Sequence, residues 1–322
     1  MSNAFSIPYK LRPNKAVDRE LFIALLVRLA ATLKVENYRY IGLGGPFLED
    51  FRLIHARLGI NEMVCVEVEE SVHKRQMFNR PIPSIECIHQ KLEDYLDSTE
   101  FEKPVIIWFD YTDPREMTEQ IERFAQTIGV VPQNSILKIT LNASPSTLGE
   151  PKQNEISASV GGQAVQEWRL ARFQEKLGGL FPSGLKAEGM TYKNFGESVL
   201  TALYLAVERI MLSFSDREAR WALATHYADG QPMVTATLVV VSRGDHSIER
   251  LLGDWCYSSS PRAPLKLDIP ILSTIERLTM ESTPDSKERM AYELPKSALG
   301  EDPYVVFKQL YRVYPQFARV DF

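Results

Sequence analysis

Between Tyr38 and Ala143 the chain switches repeatedly between short apolar strand patterns and helical patterns. This alternation limits the possible folds more than any other feature. The segments "RYIGLG", "EMVCVEVE", "SIECIHQ", "PVIIWFDY" and "SILKITLNA" read as strands. Between them, "FLEDFRLIHARLG", "SVHKRQMFNR", "KLEDYLDST" and "EMTEQIERFAQTIG" read as helices. In the first of these helices Phe47, Phe51, Ile54 and Leu58 share one side, and Gly59 supplies a stop. "PVIIWFDY" is apolar without alternation, as expected of a strand covered on both faces. Strands and helices joined by short connections in this order predict an open α/β sheet, doubly wound and mostly parallel.

The flanking segments extend this plan. "AVDRELFIALLVRLAATLK" is a helix whose Phe22, Leu25, Leu26, Leu29 and Leu33 form an apolar stripe. Residues 145–193 read as an irregular insertion around one helix, "GGQAVQEWRLARFQEKLG". That helix carries Trp168, Arg169, Arg172 and Phe173, a face better suited to packing on the core than to display. "FGESVLTALYLAVERIMLSF" is a long buried helix, and "WALATHYADGQPMVTATLVVV" is two strands joined at Asp229-Gly230, a hairpin signal. The expected sheet therefore has seven strands and closes with an antiparallel hairpin. Three regions follow: an N-terminal arm and helix (1–35), an α/β domain (36–242), and a small, mainly helical appendage (243–322).

Composition narrows the function classes. A net charge of -5 and a pI near 5.7 argue against a broadly basic nucleic-acid surface. Three cysteines without a C-x-x-C pair fit a reducing compartment. No apolar run is long enough to span a membrane, so the expected location is the cytoplasm. The histidines show no metal-binding spacing, and no nucleophile elbow is present.

In an open parallel sheet, ligands bind at the carboxyl ends of the strands. Gly42, Gly44 and Gly45 end the first strand, where glycine lets the backbone approach a ligand or simply makes a tight turn. Pro46 suits the first turn of the next helix. A dinucleotide fingerprint would need glycine at the position of Phe47, which weighs against a nicotinamide oxidoreductase. Glu67 ends the second strand and is the better candidate for accepting hydrogen bonds from a ribose, with Glu69 as the alternate. Asp110 and Tyr111 end the fourth strand, where a carboxylate could orient an acceptor or take its proton and a ring could stack on a ligand. Asp113 before Pro114 reads as a helix cap. The basic residues Lys10, Arg12, Lys15 and Arg19 could fold over the same cleft.

"LRPNKAVDR" (11–19), "YIGLGGPFLEDFRLIHARLGINEMVCVEVE" (40–69), "FNRP" (78–81) and "WFDYTDP" (108–114) carry a family resemblance. Together they resemble class I S-adenosylmethionine-dependent methyltransferases and, more narrowly, a bacterial O-methyltransferase family. The resemblance implies a cofactor, S-adenosylmethionine, with Gly42 and Gly44 facing its methionine part and Glu67 holding its ribose. It also implies that Asp110 and Tyr111 border the methyl group and an acceptor whose identity is unknown. Two positions depart from the class. Tyr40 stands where an acid commonly helps bind the cofactor's amino group, and Gln90 or Lys91 stands where an acid often reads the adenine. Gln90 can still hydrogen-bond an adenine edge, since its amide both donates and accepts. These departures leave a second reading beside methyl transfer: a non-catalytic module that binds S-adenosylmethionine or another adenine nucleotide.

Overall fold

The computed structural model describes residues 12–151, 161–282, 290, 292–296 and 298–315. Lys10, the first part of the N-terminal arm and part of the 145–193 insertion lie outside the described residues.

Helix α1 (Pro13–Leu29) leads into strand β1 (Arg39–Gly42), followed by α2 (Glu49–Leu58), β2 (Glu62–Glu67), α3 (Glu70–Asn79) and β3 (Ile85–His89). Next come α4 (Leu92–Ser98), β4 (Val105–Asp110), α5 (Met117–Val130) and β5 (Ile136–Asn142). Helices α6 (Gly161–Leu177) and α7 (Phe195–Met211) precede a long hairpin, β6 (Arg217–Asp229) and β7 (Gln231–Ser242). The chain closes with α8 (Ser247–Gly253), β8 (Leu265–Leu267), α9 (Thr274–Ser282) and α10 (Pro303–Leu310).

The strand order is β3-β2-β1-β4-β5-β7-β6-β8. The first five strands run parallel, β7 is antiparallel to both β5 and β6, and Gly230 makes the hairpin turn at positive φ. The expected parallel sheet with a closing hairpin is thus present, with one correction: among the described residues it has eight strands, not seven. The eighth, "LKL", pairs in parallel with Thr225–Tyr227 on β6. Its three residues are too few to show a period, and the segment after Ser242 therefore read as mainly helical.

Alternate strand residues feed two cores, as period-2 geometry requires. Ile41, Ile107, Phe109, Leu137 and Ile139 pack with α4, α5, α6 and α7. Tyr40, Ile106, Trp108 and Ile136 pack with α1, α2, α8 and α10. Phe173 of the insertion helix is buried in the first core, edge to face with Phe195.

Helix α1 is unusual in burying its polar residues as well as its apolar stripe. Asp18 accepts hydrogen bonds from Lys138 Nζ (2.7 Å), Thr225 Oγ1 and Thr235 Oγ1 (both 2.8 Å). Lys138, in mid-strand on β5, has no exposed side-chain surface and also lies over the rings of Phe22 and Trp108. A buried charge is tolerable only when paired in this way. No side chain of its own caps α1. Instead the Asp229 carboxylate at the hairpin tip accepts the backbone N–H groups of Asn14 (3.3 Å) and Lys15 (2.8 Å). An anion there satisfies donors that the helix cannot. This fixes the start of α1 at the carboxyl end of the sheet.

Candidate functional site

Register places the predicted residues at one end of the sheet. Gly42 pairs with Cys65 on β2 and with Trp108 on β4. Glu67 and Asp110 therefore each lie two residues beyond the level of Gly42, on its two flanking strands, and Glu67 pairs with His89.

The glycine turn has a separate physical reason at each position. A Cβ on Gly44 would lie 2.5 Å from Leu48, 2.7 Å from Phe51 and 3.0 Å from Cys65, so its bare backbone lets α2 press onto β2. A Cβ on Gly42 would meet the Tyr40 hydroxyl at 3.0 Å. Gly45 has φ +53°, a left-handed conformation that glycine adopts at little cost. Leu48 follows at φ +50°, and α2 starts only at Glu49. Pro46 thus belongs to the turn and not to the first helical turn, because the chain must reverse through two left-handed residues first. Gln76 and Asn79 of α3 brace the turn by donating to the carbonyls of Gly45 (3.0 Å) and Pro46 (2.8 Å).

Glu67 is half-buried, and its Oε1 accepts the Glu69 backbone N–H at 2.8 Å. Burial pushes its carboxyl above the ordinary range, against the pull of that bond. Glu69 is exposed at the start of α3. Gln90 is half-buried just past the end of β3. Beside it, His89 contacts the Val68 carbonyl (3.0 Å) and stacks on His73, tying the tips of β2 and β3 together.

Asp110 and Tyr111 are neighbours that serve opposite faces. Tyr111 lies in the first core, and its hydroxyl donates to Glu93 at 2.6 Å. Burial, with Glu93 adding to it, holds this phenol far above its usual range. Asp110 faces α1, where its Oδ2 accepts from Lys15 Nζ at 3.3 Å. Its side chain is only 9% exposed, and its Oδ1 is buried without a hydrogen-bond partner among the described residues. Burial opposes ionisation there, but Lys15 and then Arg19 outweigh it and hold the carboxyl below the ordinary range. Asp113 accepts the Arg115 backbone N–H (2.9 Å) and caps the following turn.

A fourth group joins these, and sequence patterns did not single it out. Asp50, in the first turn of α2, is buried against Arg19, whose Nε and Nη2 lie 2.6 and 2.8 Å from its oxygens. Burial raises the Asp50 carboxyl, with Arg19 and Lys15 opposing. Tyr40 lies within the fields of Asp50, Asp110 and Arg19, and burial chiefly pushes its phenol well above its usual range. Acids in a first helical turn usually complement the helix dipole in water, so nothing marked Asp50 in advance. The basic N-terminal segment was visible: Lys15 reaches Asp110 at the tip of β4, and Arg19 reaches Glu49 and Asp50 at the start of α2.

A family model described as "Putative O-methyltransferase" matches residues 7–322. The chain belongs to this O-methyltransferase family. No match was found among curated proteins. Solved structures similar to this family member include the N-methyltransferase NodS from Bradyrhizobium japonicum WM9, at 8% identity and a TM-score of 0.39. That likeness covers 70% of this chain and 97% of NodS. The O-methyltransferase TomG from Streptomyces achromogenes, solved in complex with SAM, is similar at 14% identity and a TM-score of 0.36. It covers 68% of this chain and 78% of TomG.

Proposed function

We propose that the protein transfers a methyl group from S-adenosylmethionine to an acceptor that approaches at the tip of β4, beside Asp110. The observation that carries this reading is the arrangement of the glycine turn between two acidic strand tips, in a chain of the O-methyltransferase family. The residues present fit the cofactor: Asp110 Oδ1 is a buried acceptor with no hydrogen-bond partner among the described residues, and Glu67 ends the strand beside the turn.

When bound, S-adenosylmethionine supplies an electrophilic methyl on a sulfonium that is already a good leaving group. The work left to this chain is alignment. Glu67 would accept from the ribose hydroxyls, as acids at this strand position do. Gln90 would meet the adenine edge. The loop around Gly42 and Gly45 would leave room for the methionine part. Asp110 stays ionised and paired with Lys15, which suits it to anchoring a donor more than to removing a proton.

Titration calorimetry with S-adenosylhomocysteine, followed by transfer of labelled methyl from S-adenosylmethionine to cell extract, tests the reading. Binding with transfer is expected. Binding without transfer would leave the non-catalytic module, and no binding would remove the cofactor.

A further inference from the structure

Five charged groups meet beside the glycine turn: Lys15 with Asp110, and Arg19 with both Asp50 and, at 3.4 Å, Glu49. Lys15 and Arg19 are one helical turn apart on α1 and so present their charges on one side. The two sets act as one cluster, since Asp50 feels Arg19, Lys15 and Asp110, and Asp110 feels Lys15 and Arg19. The side chains of Lys15, Asp110, Arg19 and Asp50 are almost wholly withdrawn from water, and Glu49 is more exposed at their edge. The cluster sets two cations against three carboxylates, and one carboxylate oxygen, Asp110 Oδ1, has no hydrogen-bond partner among the described residues. An unsatisfied buried acceptor is costly, which makes it a place where a ligand's donor gains most.

We infer that this cluster is a zwitterion clamp that reads the α-amino-acid end of the cofactor, with Asp110 Oδ1 receiving the ammonium and Lys15 and Arg19 facing the carboxylate. The inference rests on the cofactor reading above and adds the N-terminal helix to the cofactor site. A mixed-charge cluster complements a group carrying both signs. A phosphate would be repelled by Asp50 and Asp110, so the clamp also selects against adenine nucleotides. It supplies a carboxylate to the amino group although Tyr40 occupies the position where such an acid is usual.

The clamp separates two ligands that share an adenosyl group. S-adenosylhomocysteine has the amino-acid end, and 5′-methylthioadenosine lacks it. The wild-type protein should bind the first at least about tenfold more tightly, since one hydrogen bond to a charged group contributes about 1.5–3 kcal/mol. Asp110→Asn, nearly the same shape, and Lys15→Gln should each lower that ratio by about tenfold. Both should leave methylthioadenosine affinity unchanged, which also shows that the variants fold. An unchanged ratio in both variants, or a wild-type ratio near one, overturns the clamp while keeping the cofactor. Failure of the wild type to bind either ligand overturns the cofactor reading itself.

Discussion

His226 shows how far this fold goes to bury polar groups. It lies on β6 with no exposed surface, and neither ring nitrogen has a hydrogen-bond partner among the described residues. A Cβ on Gly196 would sit 2.6 Å from its Nε2, so the ring is wedged under the start of α7. Burial first, and Lys266 second, lower its pKa from 6.5 to about 4, while Glu197 and Asp268 pull weakly the other way. Unfolded, the ring takes up a proton below about pH 6.5; folded, it resists until about pH 4. Stability from this group is therefore full above the unfolded value and falls as pH drops through that window, by about 3 kcal/mol in all. His226→Leu removes the titration. The difference in unfolding free energy between wild type and this variant, read by urea titration, should shrink by that amount from about pH 7.5 to about pH 4. A difference independent of pH would mean that the native ring is not held neutral.

Among the elements, α2 and β2 depend on one missing side chain. Gly44→Ala would drive a methyl group into Leu48 and Phe51, both buried, so relaxation must shift the helix. Overpacking of this kind costs about 1–3 kcal/mol. The variant should unfold at correspondingly lower urea concentration with an unchanged slope, and full stability would show that α2 is free to move. This glycine turn was legible because a strand pattern ran into clustered glycines. The hairpin was legible from Asp229-Gly230 between apolar runs, and "PVIIWFDY" from its unbroken apolarity. Other elements were not, for definite reasons. Strand β8 is short, and its place is set by the free edge of β6, far away in sequence. Lys138 reads as a flaw in a strand until Asp18 is brought to it from α1. Asp110 and Tyr111 looked like one constellation because they are adjacent, yet adjacent strand residues face opposite sides of a sheet. The hydroxyl of Tyr111 is taken by Glu93.

For the whole molecule, the decisive question is whether α1 is an addition to the sheet or part of its core. Leu21, Phe22, Leu25, Leu26 and Leu29 have no exposed surface and fill the second core between the sheet, α8 and α10. At about 1.5–3 kcal/mol for each buried large side chain, they contribute roughly 10 kcal/mol. That is comparable with the whole stability of a typical domain, about 5–15 kcal/mol. The polar side of the helix adds links that no surface element would need. Asn14 and Lys15 hold the hairpin tip through Asp229, Asn14 Oδ1 accepts the Ile269 N–H, Asp18 pairs with Lys138, and Arg28 donates to the Leu251 carbonyl. Removing the helix would expose the apolar back of β1, β4 and β6 and leave Lys138 buried without its carboxylate. A chain beginning at Val35 should therefore lose near-ultraviolet circular dichroism and cooperative urea unfolding. A cooperative transition within about 3 kcal/mol of the full chain would show that the sheet stands without it. Because Lys15 and Arg19 sit on this same helix, the cluster beside the glycine turn forms only once α1 has docked. Folding of the second core and assembly of the candidate site are then a single event.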